Sequence, residues 1–279
     1  MTAARIDARF AALKAEGRAG FVAYVMAGDP SPGATLDILN GLVEAGADVL
    51  ELGFPFSDPM AEGPTIQRAA LRGLKSGLTL KGTLELARRF REGNADTPLI
   101  LMGYLNPVEQ MGYRAFAEAA DAAGVDGVIL VDCPPEESAE LVEALDASHL
   151  SLIRLATPSS DDDRLKVIAR GTSGFVYYVS VAGVTGGKEA VAGDVAPAVA
   201  RVRSATGLPV AVGFGVKTAE RAAEIARVAD AVVVGSALVD IIAANLDPDG
   251  RPKEGVVEKL LGLVADLSAG IGGADKKVA

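Results

Sequence analysis

The run Leu50-Glu51-Leu52-Gly53-Phe54-Pro55-Phe56-Ser57-Asp58-Pro59-Met60-Ala61-Glu62-Gly63-Pro64-Thr65-Ile66-Gln67 opens as a strand and closes as a helix. Its strand, Asp48-Val49-Leu50-Glu51-Leu52, follows Gly46, which closes a helix. Side chains alternate across a strand, so Leu50 and Leu52 share one face and Val49 and Glu51 the other. With the leucines packed on helices, Glu51 points into the interior or the mouth of a cavity. A carboxylate there is costly unless it is ion-paired, neutral or functional. Bonding to nearby backbone or to an arginine is the structural alternative. Beyond the strand, Gly53, Pro55, Pro59 and Gly63 bracket Ser57, Asp58 and Glu62 in a loop. Pro64 then suits the first position of a helix.

The same order of elements recurs outward from this run. Strands are expected at 21–26, 48–52, 98–102, 127–131, 150–155, 174–179, 208–212 and 231–234, separated by helical segments. An amphipathic helix at about 5–16, with Ile6, Phe10 and Leu13 on one face, precedes them. Gly46-Ala47-Asp48, Gly124-Val125-Asp126 and Val228-Ala229-Asp230 each end a helix and start an apolar strand. Eight strands alternating with helices imply an α/β fold, the (β/α)8 TIM barrel. It carries an extra N-terminal helix and a short extra helix, opened by Gly235-Ser236, before the last helix at 254–268. A doubly wound open sheet is disfavoured, because no Gly-x-Gly-x-x-Gly follows the first strand. The 279 residues are read as one domain, with a Gly- and Lys-rich tail from Ala269 expected to fray.

Barrel enzymes draw their active groups from the C-terminal ends of strands, where Glu51 sits. Three late exits are glycine-rich: Gly183-Val184-Thr185-Gly186-Gly187, Gly213-Phe214-Gly215 and Gly235-Ser236. Glycines let backbone N–H groups approach an anion, and the helix start at Ser236 adds free donors and a favourable dipole. Tight turns alone would also use glycine. Three such exits with Thr and Ser hydroxyls favour a phosphate, held without Lys or Arg.

Bulk properties narrow the classes further. Apolar residues make up 49% of the chain, charged residues 23%, and the net charge is −10, a poor match to nonspecific nucleic-acid binding. A single cysteine, Cys133, excludes an internal disulfide. No signal peptide and no membrane-spanning run is read, so a soluble cytoplasmic protein is expected. No His/Cys/carboxylate cluster suggests a metal. His149, the only histidine, precedes the fifth strand at the far end and is read as structural. Cys133 has no histidine near in sequence and is a poor nucleophile.

The run Leu50–Gln67 resembles the signature of the tryptophan synthase alpha subunit family nearly continuously, through Glu-Leu-Gly, Pro-Phe-Ser-Asp-Pro and Gly-Pro-Thr-Ile-Gln. The likeness extends from about Phe10 to Leu246. It implies reversible retro-aldol cleavage of indole-3-glycerol phosphate to indole and glyceraldehyde 3-phosphate. Glu51 would be the acid–base carboxylate. Glu62 would accept the indole N–H, at a position where the family usually has Asp, with about 1.5 Å more reach. Asp58 is a rival better suited to loop structure or a subunit contact. The same resemblance puts Tyr24, Tyr104 and Tyr177 around the indole. It puts Thr185, Gly186, Phe214, Gly215, Gly235 and Ser236 at the phosphate. Met102 and Ile129 are read as ordinary core, and no guanidinium stands at Val181. The family further implies no cofactor in this chain. Its partner would be a pyridoxal-phosphate-dependent beta subunit, in an alpha2beta2 assembly. The alternatives are a stand-alone lyase, another phosphate-binding barrel isomerase or epimerase, and a non-catalytic activating subunit.

Overall fold

A computed structural model describes residues 3–180, 192–213 and 215–274. Among the described residues, nine strands form one parallel sheet: β1 (Gly20–Met26), β2 (Val49–Gly53), β3 (Leu99–Gly103), β4 (Gly127–Leu130), β5 (Ser151–Leu152), β6 (Arg154–Ala156), β7 (Val176–Val179), β8 (Val210–Gly213) and β9 (Ala231–Val234). The spatial order is β5-β4-β3-β2-β1-β9-β8-β7-β6. The expected fifth strand is therefore two short ones. Ser151–Leu152 pairs with β4 and Arg154–Ala156 with β7, so successive pieces of one segment serve the two neighbours and close the ring. Ile153 lies between them, buried among the barrel-filling side chains.

The helices are α1 (Ala3–Ala15), α2 (Pro32–Glu44), α3 (Pro64–Lys75), α4 (Leu80–Gly93), α5 (Leu105–Met111), α6 (Tyr113–Ala122), α7 (Ala139–Ala147), α8 (Asp162–Ala169), α9 (Ala192–Thr206), α10 (Ala219–Ala226), α11 (Ser236–Ala244) and α12 (Val256–Gly272). Three differ from expectation. The exit after β3 is a helix, α5. Pro107 is harmless in its first turn, where N–H groups lack intrahelical acceptors, and the Leu105 N–H donates to Asp132 Oδ1 at 2.7 Å. The segment after β4, which the sequence pattern reads as one helix over about 136–146, is interrupted at Ser138, which follows a 3-10 turn (Pro135–Glu137). The last helix runs past Ser268 to Gly272 because Ile271 is buried in the outer core.

Strand alternation sorts the side chains into two layers. Leu50 and Leu52 join the core between sheet and helices, while Val49 joins Val22, Ile100, Ile129, Phe175, Ala211 and Val233 inside the barrel. Ile6, Phe10 and Leu13 of α1 belong to this inner cluster and plug the N-terminal end, with the Phe10 and Phe175 rings 5.4 Å apart. The open end is left to the next inward-facing layer.

The aspartate that recurs at these three strand starts has a structural purpose at the plugged end. Asp48 accepts the Phe21 N–H at 2.9 Å, Asp126 the Leu99 N–H at 2.8 Å and Asp230 the Val210 N–H at 2.9 Å. Each carboxylate also pairs with arginine: Arg18 on Asp48, Arg5 and Arg91 on Asp126, Arg203 on Asp230. Each aspartate thus stitches its own strand to an adjacent one.

Candidate active site

The layer above the barrel core begins with Glu51. In register, Tyr24 of β1 lies beside Glu51 of β2, and Glu51 beside Ile100 of β3. Glu51 is 1% exposed, and its Oε2 has no hydrogen-bond partner among the described residues. The arginine or backbone partner that a structural carboxylate needs is thus missing at that oxygen. Burial pushes the Glu51 carboxyl up to about 8, and repulsion from Glu62 adds to the effect.

Glu62 comes from the loop between β2 and α3. Loss of solvent raises it to about 7. Its backbone is held on both sides: the Glu62 N–H donates to Pro59 O at 3.1 Å, and Gln67 Nε2 donates to Glu62 O at 2.9 Å. Tyr104 Oη accepts the Ala61 N–H at 2.9 Å while its ring stacks on Phe56 at 5.3 Å. Tyr104 therefore braces the Glu62 loop and stands outside the lining of the cavity that Glu51 and Glu62 share, whereas Tyr24 and Tyr177 line it. Asp58, also outside that lining, is exposed and accepts a hydrogen bond from Ser57 Oγ, in keeping with a role in the loop.

A cavity of about 500 Å³ joins these groups to the late exits. Glu51, Glu62, Tyr24 and Tyr177 line one part, and Gly215, Gly235 and Ser236 another. Gly235 caps α11 without any side-chain bond, so the first N–H groups of that helix are open to an acceptor. Gly215 holds φ +70°, a left-handed conformation that other residues adopt at a cost. Two inward glycines serve the tyrosines: a Cβ on Gly53 would collide with Tyr24 Oη, and one on Gly213 with Tyr177 Oη. Burial holds both phenols well above their ordinary range, so they stay neutral donors. Thr185, Gly186, Phe214 and Val181 lie outside the described residues.

Several lining residues escaped the sequence reading. Met102, taken there as core, is half-buried and lines the cavity, while Ile129 is indeed core. Lys217 lines the cavity two residues after Gly215 and is its sole Lys or Arg among the described residues. Its place just after the second glycine-rich exit was the available signal. Thr65 and Asp240 also line it, and Thr65 Oγ1 donates to Asp240 Oδ1 at 2.9 Å, tying the start of α3 to α11. That contact joins residues 175 positions apart and has no local signature.

His149 takes φ +57° just after α7 and lies away from this cavity, consistent with a structural turn. Cys133 is half-buried and also outside it. No group of three or more His, Cys, Asp or Glu side chains among the described residues could hold a metal, and no described helix is long and apolar enough to cross a membrane.

Comparison with known proteins places this geometry in context. The profile of a family described as "Tryptophan synthase alpha chain" matches residues 10–268. The tryptophan synthase alpha chain of Caulobacter sp. (strain K31) is 64% identical over 279 residues, covering all of both chains. That of Phenylobacterium zucineum (strain HLK1) is 65% identical over 271 residues, 97% of this chain and 96% of the relative. Among solved structures, tryptophan synthase subunit alpha from Legionella pneumophila str. Paris superposes with a TM-score of 0.87 at 40% identity, over 96% of this chain and 98% of that one. A chain of the aminoacrylate-bound tryptophan synthase from M. tuberculosis gives 0.84 at 33% identity, over 96% and 99%.

Proposed function

This chain belongs to the tryptophan synthase alpha chain family, and from that premise we propose that Glu51 and Glu62 carry its lyase reaction. The reaction cleaves indole-3-glycerol phosphate to indole and glyceraldehyde 3-phosphate. The observation that carries the assignment is Glu51 itself: a carboxyl buried to 1% exposure, with an unpartnered oxygen, on the wall of the cavity.

Cleavage requires a proton at indole C3 and loss of a proton from the side-chain hydroxyl. Protonation at C3 makes the ring a cationic electron sink. As the hydroxyl proton leaves, its O–H pair forms the aldehyde carbonyl, and the breaking C–C bond returns its pair to the ring. A carboxyl near 8 is largely protonated at neutral pH yet still able to take a proton back. Glu51 suits both halves of that exchange. Glu62, near 7, is ionised in a useful fraction and stabilises the cationic ring by accepting the indole N–H. Tyr24, Tyr177 and Met102 flank the bicycle. The phosphate is assigned to Gly215, Gly235 and Ser236, with Lys217 as a cation on the same cavity wall, and the family resemblance adds Thr185, Gly186 and Phe214 to its contacts.

The chain is proposed to need no cofactor of its own. Indole passes to a pyridoxal-phosphate-dependent beta subunit in an alpha2beta2 assembly within the cytoplasm. Met60, 82% exposed on the loop that carries Glu62, supports a docking surface that also gates the site. The deciding experiment is indole release by the purified chain with and without a beta subunit. Weak release, strongly raised by the partner, is expected. Fast release alone would mean an independent lyase. None in either condition, from folded protein, would overturn the catalytic assignment.

A further inference from the structure

A second cavity, of about 630 Å³, opens at the exits of β4 and β6 and shares no lining residue with that of Glu51. Its floor contains an unusual charge. Arg154 is 6% exposed, forms no ion pair with any described residue, and its Nε has no hydrogen-bond partner among them. Its Nη2 donates to Ser138 Oγ at 2.6 Å. A buried guanidinium without a contacting counter-charge carries an uncompensated desolvation cost.

The groups around it supply a cradle rather than that counter-charge. Arg164 of α8 also lines the cavity, on the side where it pairs with Glu136. Three hydroxyls stand in the wall: Thr157, Ser159 and Ser160, with Thr157 Oγ1 2.8 Å from Ser159 Oγ. The acidic group in the lining is Asp132, one of whose oxygens already accepts the Leu105 N–H at 2.7 Å. Two guanidiniums and three hydroxyls around an open cavity match the donor pattern that recognises an oxyanion.

We propose that this cleft is a second ligand site, binding a small molecule through a phosphate or carboxylate group held by Arg154, with Arg164 and the Thr157, Ser159 and Ser160 hydroxyls around it. The site is independent of the lyase chemistry. It supplies the contacting negative charge that Arg154 lacks among the described residues.

The test uses the full chain and two oxyanion probes, selenate and inorganic phosphate. Crystals soaked in selenate are expected to show an anomalous peak in contact with the Arg154 guanidinium, besides any peak at Gly235 and Ser236. In solution, calorimetric titration with phosphate is expected to resolve one more site in the wild type than in Arg154→Met, while both release indole equally. Arg154→Lys keeps the charge but loses the planar fork, so affinity at this site is expected to fall about tenfold or more. That variant also serves if Arg154→Met does not fold. A selenate peak confined to Gly235 and Ser236 would overturn the proposal. So would identical titrations of wild type and variants, or binding at crystal concentration only.

Discussion

A single side chain illustrates how burial becomes chemistry. Glu51 shares the inward face of β2 with Val49, so the strand delivers it to a dry interior and the missing solvent raises its pKa to about 8. Three predictions belong to this scale. Glu51→Gln removes the exchangeable proton while keeping size and polarity. Indole release should fall to background, with binding of indole-3-glycerol phosphate retained; wild-type turnover would refute the role. The same variant should change stability with pH. A carboxyl raised from 4.5 to about 8 binds its proton more tightly in the folded state. Its stabilising effect is complete below the unfolded value and fades as pH rises to the folded one, at roughly 1.4 kcal/mol per unit. Urea titrations should therefore show the variant gaining on the wild type between pH 5 and pH 9. Separately, kcat/KM should be bell-shaped. It falls below about 7 as Glu62 is protonated, and above about 8 as Glu51 loses its proton. A flat profile across that range would argue against the pair.

Elements meet at the open end through glycines chosen for what lies opposite. Gly213 ends β8 directly across from Val179 of β7, and Tyr177 extends its hydroxyl into the space a side chain would fill. Gly213→Ala should destabilise the fold by about 1–3 kcal/mol through overpacking, read from the urea midpoint. Combining it with Tyr177→Phe should recover part of the loss, because the clash is worst at the hydroxyl. Additive effects in the double variant would exclude this contact. Within the glycine-rich exits, Gly213 makes room for Tyr177, whereas Gly215 and Gly235 line the cavity at the proposed phosphate end.

The whole molecule sets a plugged end against an open one. The N-terminal end is closed by α1 and by the three strand-starting aspartates; the C-terminal end keeps its cavity. Asp126 is the most enclosed of the stitches, with a fully buried side chain held by Arg5 at 2.7 Å and Arg91 at 2.6 Å. Asp126→Ala strands Arg91 beside an unanswered Leu99 N–H. It should cost about 3–5 kcal/mol in chemical denaturation. In the fraction that remains folded, the pH profile of indole release should be unchanged. A shifted profile would mean that the two ends communicate.

The sequence by itself determined the periodic order of strands and helices and the inward direction of Glu51. It also determined the glycines and helix start at the late exits, because these follow from local alternation, turn chemistry and capping. The Leu50–Gln67 run marked the family by direct resemblance. Only the tertiary structure decided which distant groups meet. It split the fifth strand so that its pieces serve two neighbours, made Tyr104 a brace for the Glu62 loop, and brought Lys217 and Asp240 to the cavity wall. It also buried Arg154 with no contacting counter-charge among the described residues. Those outcomes depend on the closure of the ring, which sets neighbours across the barrel by geometry rather than by spacing along the chain.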